Sequence, residues 1–193
     1  MFDKYNKVQR AVLETTLRII IQKELQATSM ALIAKESGVS TGNIYHYFKS
    51  KEEIINELYK AIVAHNGDLV IPGVKQPGTI QERFFRAWEQ VLFISRKYPE
   101  GFQFIEQYSF SPYISEESKN EAYISGWCGP VDDLYQEAID QQLFVKMDPK
   151  LMVQMHYGSI VYSVKGNIQS NFGLNAETTR QVIQACWNSV LAR

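Results

Sequence analysis

A glycine-centred break between two short helical segments constrains this chain more than any other feature. Ser29 is suited to cap a helix over Met30 to Ser37, its hydroxyl accepting from a first-turn amide. Gly38-Val39-Ser40 ends that helix, with Gly38 free to take the left-handed conformation a sharp stop needs, and Ser40 can cap a short helix from Thr41 to about Phe48. A three-residue turn crosses two helices steeply. Ile33, Ala34, Val39, Ile44 and Phe48 can then form one small core with a preceding helix, and Ala34 is small where the helices approach. That first helix is read over residues 4–23, where Val8, Val12, Leu13, Leu17, Ile20 and Ile21 share a face.

This is a helix-turn-helix pattern, and it turns the polar face of the second short helix outward. The major groove of DNA is wide enough for one such helix. The candidate DNA-binding residues are Ser29, Ser40, Thr41, Gly42, Asn43, Tyr45, His46, Tyr47 and Lys51. Thr41 and Asn43 are short hydrogen-bonding residues at the leading end, where base edges are reached, and Gly42 lets the backbone come close. Tyr45, His46 and Tyr47 offer donors to phosphate, while Ser29 and Lys51 stand at helix starts whose free amides favour phosphate. The same geometry occurs in proteins that never touch DNA. The residues alone therefore leave open an alternative: a helical ligand-binding or scaffold protein whose N-terminal module contacts protein.

The run Gly38-Val39-Ser40-Thr41-Gly42-Asn43-Ile44-Tyr45-His46-Tyr47-Phe48-Lys49-Ser50-Lys51 resembles the signature of the TetR family of bacterial regulators, and the likeness extends over roughly residues 8–60. The resemblance implies a three-helix DNA-binding domain joined by a fourth helix to a larger helical domain that dimerises and binds an effector. One departure concerns the end of the first helix. The family usually has a glycine just before an aromatic there, whereas Glu24-Leu25 fill those places here. The first helix is therefore expected to end differently.

Beyond the motif, helical periodicity is nearly continuous and strand signals are scarce. Ser50 is read as the cap of a fourth helix running to about His65, with Glu52 and Glu53 complementing its dipole. Gly67, Pro72, Gly73, Pro77 and Gly78 mark 66–79 as a loop. Further helices are predicted at 79–97, 99–109, 116–142, 148–171 and 176–192, the third of them kinked or interrupted at Gly126-Trp127-Cys128-Gly129-Pro130. The expected fold is all-α with about nine helices, divided into a helix-turn-helix domain (1–50), a connecting helix (51–66) and a C-terminal effector-binding and dimerisation domain (67–193).

Charge and composition narrow the function. Residues 1–60 carry a net +2 and the remainder −3, so a chain of net −1 cannot coat nucleic acid by bulk charge. Cys128 and Cys186 fit neither a disulfide framework nor paired metal spacing, and the three histidines form no metal-spaced cluster. With no nucleophile elbow and no phosphate-cradling loop, the expectation is a protein that is not an enzyme and uses no metal or cofactor. No apolar run reaches the ~20 residues that span a bilayer, and the first residues lack a signal peptide's apolar stretch. A soluble, cytoplasmic protein with no membrane partner is expected.

A regulator that reads a palindrome needs two recognition helices and hence a two-fold dimer. The predicted dimer interface uses the apolar stripes of the last two helices: Val153, Tyr157, Ile160, Val164 and Ile168, then Thr179, Val182, Ile183, Cys186, Trp187 and Val190, with Gly158 and Gly166 permitting close contact. Part of each stripe must serve the chain's own core. The predicted effector pocket comprises Trp88, Phe104, Tyr108, Trp127 and Tyr135, with Glu106 and His156 as polar candidates. The combined expectation is a one-component repressor that binds a double-stranded operator as a homodimer and is released by a small hydrophobic or aromatic effector.

Overall fold

The computed structural model describes residues 1–170 and 173–192. The last residue of the expected 148–171 helix and the end of the 67–193 domain therefore lie outside the described residues. The described residues form ten α-helices: α1 (Lys7–Lys23), α2 (Met30–Ser37), α3 (Thr41–Tyr47), α4 (Lys51–Lys75), α5 (Ile80–Lys97), α6 (Pro99–Tyr108), α7 (Glu116–Ser125), α8 (Cys128–Asp140), α9 (Pro149–Ser170) and α10 (Ala176–Val190). Their strand-like pairing is limited to an isolated antiparallel bridge between Phe144 and Leu191.

Local chemistry sets most of the boundaries. Asn6 opens α1 with a capping box: its side chain accepts from the amides of Val8 and Gln9, and the Gln9 side chain answers the Asn6 amide. The first helix thus starts at Lys7, three residues later than its apolar spacing suggested. The expected 116–142 helix is two helices. The break falls at Gly126-Trp127, and Pro130 sits in the first turn of α8, where its missing N–H costs nothing.

The fourth helix is a larger correction. It does not stop near His65 but continues to Lys75, through Gly67, Pro72 and Gly73. Two arginines of α5 explain how so much Pro and Gly remains helical. Arg86 Nε donates to the Gly73 carbonyl at 3.0 Å and Arg83 Nε to the Val74 carbonyl at 2.8 Å. A second Arg86 nitrogen reaches the carbonyls of Gln76 and Pro77 at 2.9 and 3.2 Å. Orphan carbonyls at a helix end need donors, and here the donors come from another helix.

The chain divides into two compact units, Met1–His65 with Tyr98–Ser125, and Asn66–Lys97 with Gly126–Arg193. Residues 98–125, which the expected boundaries assign to the C-terminal domain, thus pack with the helix-turn-helix residues. In the first unit, Phe104 of α6 and Ala122 of α7 join the core built by Val12, Leu13, Ile20, Ile33, Ile44 and Ile62. The Asn56 side chain of α4 stitches the α6–α7 loop to it, accepting from the Ser115 amide at 2.8 Å and donating to the Tyr113 carbonyl at 3.2 Å. The second unit packs α8 against α9 and α10 against α5 and α9, around an aromatic core.

The departure at Glu24 has a backbone consequence. Glu24 is the C-cap of α1 and has φ 63° and ψ 165°, a region that almost only glycine occupies without strain. Its own amide still bonds back to the Ile20 carbonyl at 2.9 Å. Replacing Glu24 by Gly should raise the free energy of unfolding by ~1 kcal/mol. Chemical denaturation checks this; Glu24→Ala, which keeps the strain, should give no such gain.

Candidate nucleic-acid interface

The two short helices are held as the turn predicted. Ser29 Oγ accepts from the Leu32 amide at 3.2 Å and Ser40 Oγ from the Asn43 amide at 3.3 Å. Gly38 has φ 69° and ψ 12°, the left-handed conformation expected of it. Ile33, Ile44 and Phe48 are buried, with Ala34 and Val39 half-buried against them. Of the nine candidate DNA-binding residues, Ser29, Ser40, Thr41, Gly42, Asn43, Tyr45 and His46 are exposed and Tyr47 and Lys51 half-buried. Tyr45 is half exposed, and the His46 and Tyr47 rings meet edge to face at 4.8 Å. The two capping serines each use an oxygen lone pair and keep the O–H as a donor.

Gly42 is the most telling of the nine. It lies inside α3, where glycine weakens a helix, yet a Cβ added there would meet nothing within 4 Å. No contact within the protein calls for a glycine at this position. The open space fits a backbone that must be approached from outside.

The start of α4 has the Ser50 cap and the acidic first turn expected of it. The Glu53 amide is taken by Ser50 Oγ at 3.2 Å, and the Glu53 carboxylate accepts from the Lys49 amide at 2.6 Å. Hydrogen bonds from its own amide and from Ser50 hold the Glu52 carboxyl below its usual range. The chain's own Ser50 and carboxylates thus engage part of this helix start.

The five predicted pocket residues fall into two clusters. Phe104 and Tyr108 belong to the first unit, with ring centroids 5.3 Å apart. Trp88, Trp127 and Tyr135 belong to the second, all buried. Around them lie Phe84, Phe144, His156 and Trp187, with Trp187 at 5.1 Å from both Phe84 and Phe144. A polar chain threads this aromatic core. Trp88 Nε1 donates to Tyr135 Oη at 2.9 Å, Tyr135 Oη lies 2.5 Å from His156 Nδ1, and His156 Nε2 lies 3.1 Å from Ser189 Oγ. Ser189 in turn donates to the Cys186 carbonyl at 2.7 Å. The Cys186 carbonyl takes the Ser189 proton, so Ser189 accepts from His156 Nε2–H, and with the imidazole neutral Nδ1 accepts from the Tyr135 hydroxyl. Burial drives the His156 imidazolium down to a pKa of about 4 and the Tyr135 phenol well up. Apolar periodicity revealed the aromatics, but His156 to Ser189 pairs residues 33 positions apart, which one-dimensional spacing cannot register.

The predicted dimer residues mostly face inward. Val153, Ile160, Val164, Thr179, Ile183, Cys186, Trp187 and Val190 are buried within the protomer and serve its own core. Tyr157 and Val182 are half-buried and Ile168 is exposed. Gly158 is exposed with open space at its Cβ, so it serves no close contact inside the chain. Both thiols are free, and burial pushes Cys128 up to about 12 and Cys186 up to about 11. Among the described residues no group of three His, Cys, Asp or Glu could hold a metal, and no helix is long and apolar enough to cross a membrane.

Comparison with known proteins decides the family. Residues 12–58 match the bacterial regulatory proteins of the tetR family, and residues 79–191 match the tetracyclin repressor-like C-terminal domain. The chain belongs to the TetR family. It is a DNA-binding transcriptional regulator. A full-length relative, an uncharacterized HTH-type transcriptional regulator of Haemophilus influenzae, is 20% identical over 93% of both chains. A TetR-family regulator of Marinobacter aquaeolei has the same fold over the whole of both chains, with TM-score 0.89 and 20% identity. The regulator FadR of Bacillus subtilis, solved in complex with stearoyl-CoA, matches 94% of this chain and 98% of its own at TM-score 0.77 and 19% identity.

The buried imidazole of this TetR-family chain sets a pH dependence. Its folded pKa of about 4 lies below the 6.5 of a solvated histidine. Its contribution is therefore full above pH 6.5 and is lost as the pH falls towards 4. The stability gap between the wild type and His156→Gln should be widest at neutral pH and shrink across this window, as read from denaturation midpoints.

Proposed function

We propose that this regulator is a repressor that binds a palindromic operator as a homodimer and releases it when an apolar effector binds. The observation that carries the reading is the unpartnered outer face of α3, where Thr41, Gly42, Asn43, Tyr45 and His46 stand exposed on a helix anchored from behind by Ile44. Thr41 and Asn43 read base edges. Ser29, Tyr45, Tyr47 and Lys51 hold phosphates, and Gly42 admits the groove wall. With the whole chain at −1, affinity comes from these few contacts doubled by a second subunit rather than from a broad positive surface.

The second subunit meets the outward face of α9 and α10. Leu151, Met155 and Tyr162 follow one another at helical spacing on α9 and are half or more exposed, Tyr162 at 80%. Gly158 lies between them and lets two helices approach. On α10, Val182, Ala185 and Ser189 form an uncharged strip of small residues. Helix-against-helix pairing of such faces buries apolar area that a monomer would leave in water.

The effector is hydrophobic. Support comes from the aromatic composition of the second unit and from the stearoyl-CoA held by the FadR relative. Its binding shifts the population between operator-competent and operator-incompetent arrangements, with α4 as the continuous element running from the DNA-binding module onward. The protein works in the cytoplasm, where its two free thiols stay reduced.

Selection of bound sequences from a random duplex pool with the purified protein should return a two-fold symmetric site. Gly42→Ala should leave the free protein as stable or up to ~1 kcal/mol more stable, while operator affinity in a mobility shift falls at least ~10-fold. Unchanged affinity would remove the α3 reading and favour a protein partner. Tyr162→Glu should leave the thermal transition nearly unchanged but yield monomers by sedimentation and weaken operator binding at least ~10-fold. A dimeric Tyr162→Glu protein would rule out this face.

A further inference from the structure

The segment ahead of α1 is built into the first unit rather than left loose. Phe2 is buried in the core, and Met1 lies close enough to Gly101 that an added Cβ would meet its methyl at 2.9 Å. Tyr5 donates from its hydroxyl to Glu57 Oε1 of α4 at 2.7 Å. Between this segment, α4 and α7 opens a cavity of about 480 Å³, within the range of small-molecule sites. None of its lining residues belongs to the aromatic core of the second unit.

The cavity's charges are arranged in two groups. Lys60 Nζ sits 3.0 Å from Glu57 Oε2 and 3.2 Å from Glu121 Oε2, so one ammonium serves two carboxylates and one negative charge is left in excess. Both carboxylates raise the Lys60 pKa, against the opposing effect of burial. Lys4, also on the wall, has no anionic partner among the described residues. The Met1 ammonium, on the same wall, is paired with Asp3 at 3.4 Å, so the cavity offers the Lys4 charge on one side and one carboxylate in excess on the other. Its floor is made small by Ala64 of α4, and Ile124 of α7 stands at the wall with 83% of its surface in solvent.

We propose that this cavity binds a small zwitterion with an apolar tail, of the α-amino acid type. Its carboxylate pairs with Lys4, its ammonium meets the Glu57–Lys60–Glu121 group at the Glu121 end, and its tail covers Ile124 and Ala64. The segment that forms one wall leads directly into α1, so an occupant would tie the start of the helix-turn-helix module to α4 and α7. The binding claim itself does not depend on the DNA reading.

Isothermal titration of the full-length protein with L-leucine tests the proposal against two analogues that each lack one charge, 4-methylpentanoate and 3-methylbutylamine. Leucine should bind saturably, and each analogue should bind at least ~10-fold more weakly. Lys4→Gln should weaken leucine by about the same factor and abolish its advantage over the amine. Glu121→Gln should instead abolish its advantage over the carboxylate. Both substitutions are at the surface and should leave the circular dichroism spectrum unchanged. No binding at millimolar leucine, equal binding of all three compounds, or leucine binding that ignores both substitutions would overturn it. Loss of operator binding in Gly42→Ala would leave these titrations unaffected, so failure of this site and failure of the DNA reading are told apart.

Discussion

A seven-residue helix has no stability of its own, because too few hydrogen bonds are formed to offset the cost of starting it. α3 exists because Ile44 is fully buried against the core and Phe48 anchors the residue after its last turn. Ser40 at one end and the bond from the Phe48 amide to the Ile44 carbonyl at the other hold its short backbone. The orientation of the exposed candidate residues of α3 depends on that one inward face. Once Ile44 points in, the helical repeat turns Gly42, Asn43, Tyr45 and His46 outward, while Thr41 is exposed because it opens the helix. A residue that removed Ile44's volume would release the whole polar face and not merely leave a cavity.

The second unit solves a different problem. It packs an unusually aromatic core, and the polar tips of Trp88 and Tyr135 are buried with the rings. An unsatisfied donor there would cost about 1–3 kcal/mol. The chain from Trp88 through Tyr135 and His156 to Ser189 and the Cys186 carbonyl supplies each with a partner in one continuous sequence of donors and acceptors. The network works only with a neutral imidazole, which is what burial enforces. It also reaches from the middle of the core to Ser189 on the exposed side of α10, so packing inside the unit and the chemistry of its outer face are not independent.

Much of this was legible along the chain because its signals are local. Capping serines, the Gly38 turn and the apolar spacing of α1 act over four or five residues, and the structure follows them closely. The errors lie where a remote residue overrules a local one. Gly67, Pro72 and Gly73 are reasonable marks of a loop until Arg83 and Arg86 supply the helix end with donors from α5. The apolar stripes on α9 and α10 are legible in the spacing, but periodicity reports that a face is apolar without saying what covers it. Val153, Ile160, Ile183 and Trp187 are buried in the chain's own core, while Leu151, Met155 and Tyr162, at the same helical spacing, are exposed.

By itself, the amino-acid order determined the helix-turn-helix, its capped ends, the all-helical class and the identity of the outward residues on α3. These follow from hydrogen bonds and side-chain spacings within one or two helical turns. Only the tertiary structure decided how far α4 extends, that α6 and α7 pack with the N-terminal module, which apolar stripes are inward, and that His156 is a neutral link in a buried chain. Each of these depends on groups from different helices, nine to several tens of residues apart, being brought into contact by the folded core and not by the spacing of residues along the chain.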